Sequence, residues 1–471
     1  MSIPATANGG VSFWYSDLGL PRPRPSLDGS TEVDVCVVGG GYTGLWTAYY
    51  LKKADPGLRV ALLEQRFCGY GASGRNGGWL YGGFAGRGVF ARSHGKDAAM
   101  RMQRAMNGAV DEVIQVAAAE GIEADIVKGG VLEVARSRPQ LERLRAFVAE
   151  EHAFGQREQV LLSPAEAAGR LAVAGTLGAT WNPHGARIQP ARLARGLAEA
   201  VEALGVRVYE GTAVTELRPA AAGAPARAVT PHGTVSARFV LRATEGFTAA
   251  LRGQRRTWLP MNSSMIVTDP LPPSFWAEVG WQDRATLGDL AHAYMYAQRT
   301  ADDRIAIGGR GVPYRFGSRT DHDGTTAQRT VDGLRAILTD FFPAAADTGI
   351  AHAWSGVLGV PRDWCSTVEL DARSGLGWAG GYVGSGVSTA NLAARTLRDL
   401  VLREVAGAGA SELTDLPWVG HSVRRWEPEP LRWLGVHGMY AAYHTADRQE
   451  RGGRTSTSPI ARIADRVSGR H

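Results

Sequence analysis

Lysine is nearly absent from this sequence: only Lys52, Lys53, Lys96 and Lys128 occur, so the 52 basic residues are almost all arginine. No basic run of about five to eight residues appears either, which removes the usual footprint of a nucleic-acid interface. The net charge of +6 and the pI near 9.3 follow from the arginine, which suits anionic ligands such as a pyrophosphate or a carboxylate without demanding one. Cysteine is equally scarce. Cys36, Cys68 and Cys365 are an odd number with no CxxC spacing, and Cys36 sits in an apolar strand pattern where a cysteine packs as a small core residue. A reduced, cytoplasmic protein is the simple expectation. No apolar stretch approaches the roughly 18 residues of a membrane span, and the first thirty residues lack an apolar segment behind a basic start. Neither an integral membrane segment nor a secretory leader is expected.

What is present is an ordinary globular composition, with 44% hydrophobic and 21% charged residues over a 471-residue chain. That length allows two domains sharing a core. The 60 glycines cluster in a few loops, and those loops carry the functional argument.

The proline-rich stretch LPRPRPSLDGST (20–31) reads as an extended arm. EVDVCVV (32–38) is a short buried strand by its β-branched run. A helix follows from Thr43, with Leu45, Ala48 and Leu51 on one face and Lys52 and Lys53 in the last turn. RVALL (59–63) is the next strand, so strand, glycine turn, helix and strand complete a βαβ unit. Helical patterns recur at 97–121 and 190–204, and strands at VRVYEG, AVTEL and 239–243, the last running into TEGF. From about 251 to 359, alternating segments such as SSMIVT, HAYMYAQ and RIAIGG, with one helix near 326–341, describe an antiparallel sheet. GLGWAGG followed by GVSTANLAARTLRDLVL returns to strand, glycine turn and helix. Beyond the linker GAGASELTDLP, EPLRWLGVHGMYAAYHTADR reads as a helix. The expected organisation is an N-terminal arm (1–30), a discontinuous cofactor domain (31–100, 185–250, 360–408), a substrate domain (101–184, 251–359) and a helical tail (409–471).

Gly39-Gly40-Gly41-Tyr42-Thr43-Gly44 matches the dinucleotide fingerprint GxGxxG. Gly39 permits the tight turn, Gly41 lets backbone approach a pyrophosphate, and Gly44 allows close helix–strand packing. The helix start adds free N–H groups and a positive dipole end. Glu64 closes the second strand, where a carboxylate takes a ribose hydroxyl. A glycine-rich turn is often only a turn, but here both flanks fit. An NAD site needs little beyond this unit, whereas FAD must be held along its whole length. Two further glycine loops suit the longer cofactor. Gly71-Ala72-Ser73-Gly74-Arg75-Asn76-Gly77-Gly78 lets backbone N–H groups face a flat ring or a phosphate. Gly380 to Ser388, before a helix, offers a second such site more than 300 residues away.

DVCVVGGGYTG, GASGRNGGW, RIQPARL, ATEGF and GGYVGSGVS occur in an order that resembles the D-amino acid oxidase superfamily of FAD-dependent oxidoreductases, in the branch of glycine-oxidase-like and gamma-glutamylputrescine-oxidase-like enzymes. The resemblance covers nearly the whole chain from about Ser12. It implies an α/β (α+β overall) architecture: a Rossmann-type, glutathione-reductase-like FAD domain beside an antiparallel substrate domain. It also implies that Gly39, Gly41, Tyr42, Thr43, Gly44, Glu64, Gln65 and Arg66 hold the ADP half of FAD. Val214 would contact the adenine, and Ala243, Thr244 and Gly246 would lie near the phosphates. Gly71, Ala72, Ser73, Arg75, Asn76, Gly77 and Gly78 would border the ring, and Gly384, Ser385, Gly386, Val387 and Ser388 would reach the ribityl chain and pyrimidine edge. The family reaction takes hydride from the carbon beside a neutral amine, giving an imine that hydrolyses to an aldehyde or keto acid plus an amine.

No catalytic acid, nucleophile or metal cluster is required by that chemistry, since the cofactor supplies it. Tyr294 and Tyr296 alternate so as to share one sheet face, where they suit an amine pocket or simply a core. Arg75 and Arg310 are candidates for a substrate anion, and Trp354 is either pocket or packing. Three departures matter. Glu245 stands in ATEGF where many relatives have asparagine. No lysine follows residue 128, so the oxygen-activating lysine of sarcosine-oxidase-like members has no counterpart, and Ala306 falls near its place. Cys365 is offset from the positions of covalent attachment, so FAD is expected to be non-covalent. The expected partners are a small amine or amino acid and oxygen or another electron acceptor, in a monomer or homodimer. A dehydrogenase passing electrons to a quinone or protein, an NAD-dependent dehydrogenase, and a non-catalytic flavin-binding protein are the competing readings.

Overall fold

The computed structural model describes residues 5–16, 18–221, 223–309, 311–320, 323–407 and 409–469. Its strands gather into two large sheets, whose residues explain the division. Thr31–Val38 is rich in β-branched residues and buried from Val35 on, and Val60–Leu63 is an aliphatic run that is wholly buried. Such strands belong in a parallel sheet covered on both faces. They pair parallel to each other, with Val60–Leu63 pairing on to Arg207–Tyr209 and Thr31–Val38 to Gly233–Arg242. Leu376–Gly380 also runs parallel to Gly233–Arg242, so a strand from late in the chain lies beside strands from its start. The Tyr42–Ala54 and Gly386–Ala406 helices pack against each other on one face. Trp46, Tyr49 and Tyr50 fill that contact, with Trp46 and Tyr50 stacked at 5.6 Å.

The second sheet has nine strands among the described residues, in the order Ala7–Asn8, Ile350–Val360, Leu259–Thr268, Ile305–Gly309, Tyr296–Arg299, Thr286–Asp289, Val131–Ala135, Gly178–Asn182 and Val160–Leu162. It is mainly antiparallel, as expected, but two pairs run parallel: Ala7–Asn8 with Ile350–Val360, and Thr286–Asp289 with Val131–Ala135. One face of the sheet is apolar, where Leu132, Val134, Ile266, Leu287, Ala297 and Ile307 pack against the Pro273–Val279 and Gln328–Phe341 helices. The opposite face looks toward the first sheet and forms the floor of the cavity described below.

Both chain ends are built into this frame. Phe13, Trp14 and Tyr15 form a buried 3₁₀ turn, and Ser12 Oγ and Trp14 Nε1 donate to the carbonyls of Gly74 and Asn76. The expected arm thus supports the glycine loop 71–78 from below. In the tail the expected helix is present at Leu431–Arg451, but a further helix at Pro459–Ser468 was not legible. The pair packs through Tyr440, Tyr443, Ala446, Ala461 and Ala464 against Leu259, Met261 and Tyr314. None of the described helices is long and apolar enough to cross a membrane.

Candidate active site

The Gly39–Gly44 turn leaves the first strand and enters the Tyr42–Ala54 helix. Gly39 has φ +111°, and a Cβ there would lie 2.6 Å from the Ala243 carbonyl. At Gly44 a Cβ would lie 1.9 Å from the Gly39 carbonyl, so this glycine sets how closely helix meets strand. The helix start leaves its first N–H groups without intrahelical partners. That of Tyr42 donates to Ser73 Oγ at 2.8 Å, so Ser73 caps the helix start from the second glycine loop. Thr43 Oγ1 lies 3.0 Å from the Tyr382 hydroxyl, tying this end to the third glycine loop.

A single cavity of about 1230 Å³ starts at this turn, against the roughly 300–1,000 Å³ of clefts for a drug-sized ligand. It has room for a dinucleotide together with a small second molecule. Gly39, Gly41, Tyr42, Thr43, Glu64, Gln65, Arg66, Val214, Ala243 and Thr244 line one end. Gly71, Ala72, Ser73, Arg75, Asn76 and Gly77 continue it, joined from the far end of the chain by Gly384, Ser385, Gly386 and Val387. Trp79, Tyr81, Tyr294, Tyr296, Glu133 and Asp289 lie beyond them.

Glu64 holds the cavity wall in place as well as facing it. Its carboxylate accepts the N–H groups of Gly40 at 2.7 Å and Arg66 at 2.9 Å, and burial raises its pKa against those hydrogen bonds. Glu245, the departure from asparagine, proves to be a clasp. It sits at φ +42° in a 3₁₀ turn where a plain loop was expected. Its carboxylate accepts from the N–H groups of Gly359 at 2.5 Å, Gly381 at 2.7 Å and Tyr382 at 2.9 Å, joining the two sheets at the entrance to the third glycine loop. Burial raises its pKa, opposed by those N–H groups and by Arg242.

Several expected site residues stand elsewhere. Gly44, Gly78, Gly246 and Ser388 do not line the cavity. Gly78 and Gly246 are packing glycines, whose Cβ atoms would meet Gln298 Nε2 at 2.0 Å and Val357 Cγ1 at 2.7 Å. Ser388 is fully buried and donates to the Tyr81 carbonyl. Trp354 is core rather than pocket: it is fully buried among Phe13, Trp14 and His352 and donates to the Arg75 carbonyl at 2.9 Å. Arg75 lines the cavity, but its guanidinium donates to the Tyr70 carbonyl at 2.7 Å and lies over the Tyr70 ring. It is 2% exposed and serves the glycine loop first. Tyr296 begins a strand, whereas Tyr294 falls in the preceding loop, so the two do not share a sheet face by alternation. Arg310 lies outside the described residues. Cys365 is buried off the cavity, and Ala306 is buried in its strand.

Four acids on the substrate side were not singled out from sequence. Glu133 faces the cavity from Val131–Ala135, a short strand not read from the sequence. Burial, with the charges of Glu151 and Asp289, pushes its pKa up to about 7. Asp289 is likewise raised to about 7 by burial, against the hydrogen bond from the Met295 N–H. Glu450, on the tail helix, accepts from His292 at 2.9 Å and Arg143 at 2.8 Å. Asp447, one turn earlier, accepts the N–H groups of His292 and Ala293. The tail thus pins the loop that carries Tyr294.

The pattern of the DAO family, FAD dependent oxidoreductase, matches residues 34–400. The gamma-glutamylputrescine oxidoreductase of Escherichia coli is 31% identical over 396 residues, covering 83% of this chain and 88% of the relative. The glycine oxidase of Geobacillus kaustophilus is 25% identical over 377 residues, covering 79% of this chain and 93% of the relative. The crystal structure of glycine oxidase from Geobacillus kaustophilus superposes with a TM-score of 0.68 at 22% identity, over 83% of this chain and 99% of that one.

Proposed function

The chain belongs to the DAO family of FAD-dependent oxidoreductases, and from that premise we propose that it oxidises the C–N bond of a small amine or amino acid. The observation that carries this reading is the continuity of the cavity, which runs without a break from the dinucleotide turn to an aromatic pocket on the second sheet. When bound, FAD supplies a ring that takes up a hydride equivalent from the carbon beside the amine.

This chain's residues supply the rest. The helix start at Thr43 and Gly41 would receive the pyrophosphate, Glu64 would take a ribose hydroxyl, and the backbone at Val214 would meet the adenine. The loop Gly71–Gly77 and the residues Gly384–Val387, which line the cavity from opposite ends of the chain, would border the ring and hold it without a covalent bond. Trp79, Tyr81, Tyr294 and Tyr296 wall the substrate side and exclude water from the amine while it is oxidised. The substrate loses two electrons and two protons to become an imine, and water then splits the imine to an aldehyde or keto acid and an amine.

Relatives differ in what they act on: one is a gamma-glutamylputrescine oxidoreductase, another a glycine oxidase. Oxygen is the proposed acceptor, reduced to hydrogen peroxide. The second reading, a dehydrogenase serving a quinone or protein, is favoured by one observation: none of the four lysines lines the cavity. The test is anaerobic titration of the yellow holoenzyme with a panel of amines and amino acids, followed by air. Bleaching by a panel member and peroxide on re-oxidation are expected. Rapid dye reduction without peroxide identifies the dehydrogenase, and a colourless protein that cannot be reconstituted with FAD overturns the proposal.

A further inference from the structure

The floor of the substrate cavity is a row of residues at one register across the second sheet. Glu133 pairs with Gly288, Gly288 with Tyr296, and Tyr296 with Gly308. Alternation puts their neighbours Leu132, Val134, Leu287 and Ala297 into the apolar core on the other face, so this row faces the cavity. Gly288 leaves a gap in the row, and the Trp79 ring fills the space above it: a Cβ on Gly288 would lie 3.2 Å from Trp79 Cη2 and 3.6 Å from Glu133 Cγ. At the other end the Tyr296 ring lies against Gly77 of the second glycine loop, where a Cβ would approach it to 2.7 Å. The Tyr296 hydroxyl is 2.8 Å from Ser263 Oγ. The cavity lining therefore continues from Gly77 along Tyr296 and past the Trp79 ring to Glu133. Two strand spacings, about 10 Å, separate the backbones of Tyr296 and Glu133.

Glu133 ends that path without a cation. Among the described residues it has neither a hydrogen bond nor an ion pair. The charged and titratable groups that face it are Glu151, Asp289 and Tyr81. Glu151 is engaged by Arg87 at 2.5 Å, Asp289 by the Met295 N–H, and Tyr81 by Ser385 Oγ at 2.6 Å. The nearby Arg143 is held by Glu450. A carboxylate left unpaired beside the indole of Trp79 combines the two features that hold an ammonium, opposite charge and an aromatic face.

We propose that Glu133 determines specificity by binding a second, protonated amine of the substrate, so that the substrate is a diamine or an amine conjugate bearing a distant cation, not a simple α-amino acid. This rests on the amine-oxidising reading above. The reacting carbon lies at the Gly77 end, and the distant ammonium lies at Glu133, separated by a chain of several methylenes. Because Glu133 gains its charge as pH rises through about 7, the preference for dications strengthens over that range.

The test compares α,ω-diamines of increasing chain length with monoamines of equal length, on the holoenzyme and on Glu133→Gln carrying an equal flavin content. The holoenzyme is expected to favour the best diamine over its matched monoamine about tenfold or more in kcat/KM, the scale of one ion pair. In Glu133→Gln that ratio falls to near one, mainly through KM, and Glu133→Asp restores part of it. A ratio unchanged in Glu133→Gln overturns the proposal. A second readout is independent of turnover: diamines raise the melting temperature of the holoenzyme and do so less in Glu133→Gln. If no amine bleaches the flavin, the amine-oxidising reading fails, while this thermal shift alone still decides whether Glu133 is a dication site.

Discussion

At the scale of single residues, the glycine fingerprint is legible because geometry leaves no substitute for Gly39 and Gly44. Gly44 illustrates this, since a Cβ there would meet the Gly39 carbonyl at 1.9 Å. Gly44→Ala should destabilise the protein by about 1–3 kcal/mol, the cost of forcing atoms into a filled contact, with a lower melting temperature and less retained flavin. Glu245 was legible as an oddity but not as a clasp, because its three partners are backbone N–H groups more than 100 residues away. Glu245→Gln should cost about 1–3 kcal/mol, because the neutral amide carries no charge and has one acceptor oxygen for three donors. Flavin loss on dilution would report it. Glu133 was invisible, since no strand was read around it and its neighbours in the cavity come from distant segments. Its carboxyl titrates near about 4.3 when unfolded and at about 7 when folded. Between those values the folded state binds the extra proton, so this group's contribution to stability is lost as pH rises from about 4 to about 7. The melting temperature of Glu133→Gln relative to the parent should therefore climb between about pH 5 and pH 8. A flat difference would show that the carboxyl is not perturbed.

At the scale of elements, the strands and helices around the cofactor end were legible from period and glycine punctuation. The Tyr42–Ala54 and Pro190–Ala203 helices lie within a residue or two of their expected bounds. HAYMYAQ was not, because its alternation extends past the point where the chain turns: Asp289 accepts the Met295 N–H and the Asp447 carboxylate takes two more from the loop, leaving only Tyr296 onward as strand. The tail helix was legible as a helix, but its target was not. Burial alone would raise the Glu450 carboxyl, yet His292, Arg143 and the Ser458 N–H hold it down to about 2. A depressed carboxyl stabilises above its unfolded pKa, and that stabilisation is lost as pH falls through about 4 toward 2. Glu450→Gln should cost about 1–3 kcal/mol at neutral pH by removing the charge that pairs Arg143, which keeps only the Leu290 carbonyl and Thr457. The deficit relative to the parent should shrink over that acidic range. Thermal melts across pH would measure it, and turnover should fall more than flavin content, since the loop with Tyr294 is what Glu450 holds.

At the scale of the whole molecule, the sequence pattern conveyed that two sheets exist and that one cofactor spans the chain. It did not convey that the substrate sheet includes two parallel pairs or that residues 7–16 brace the second glycine loop, since pairing between distant segments leaves no local period. A cofactor that binds only the folded state stabilises it by mass action, about 2.7 kcal/mol at a hundredfold excess over its Kd. Stripping FAD should therefore lower the melting temperature, and adding it back should restore the temperature in a concentration-dependent way. No such dependence would mean that the cavity is not the flavin site.

The cavity draws its lining from residues 39–77 and again from 382–387, and the strand Leu376–Gly380 must pair beside the first half before the second is in position. During synthesis the early glycine loops leave the ribosome long before their counterpart exists. The cleft closes only on a nearly finished chain, and the tail that pins the substrate loop emerges later still. A chain truncated near residue 408 could still hold both halves of the cofactor cleft while lacking the contacts at His292. Such a chain should therefore retain flavin while lacking turnover, with cofactor capture and substrate competence divided between the two parts of the sequence.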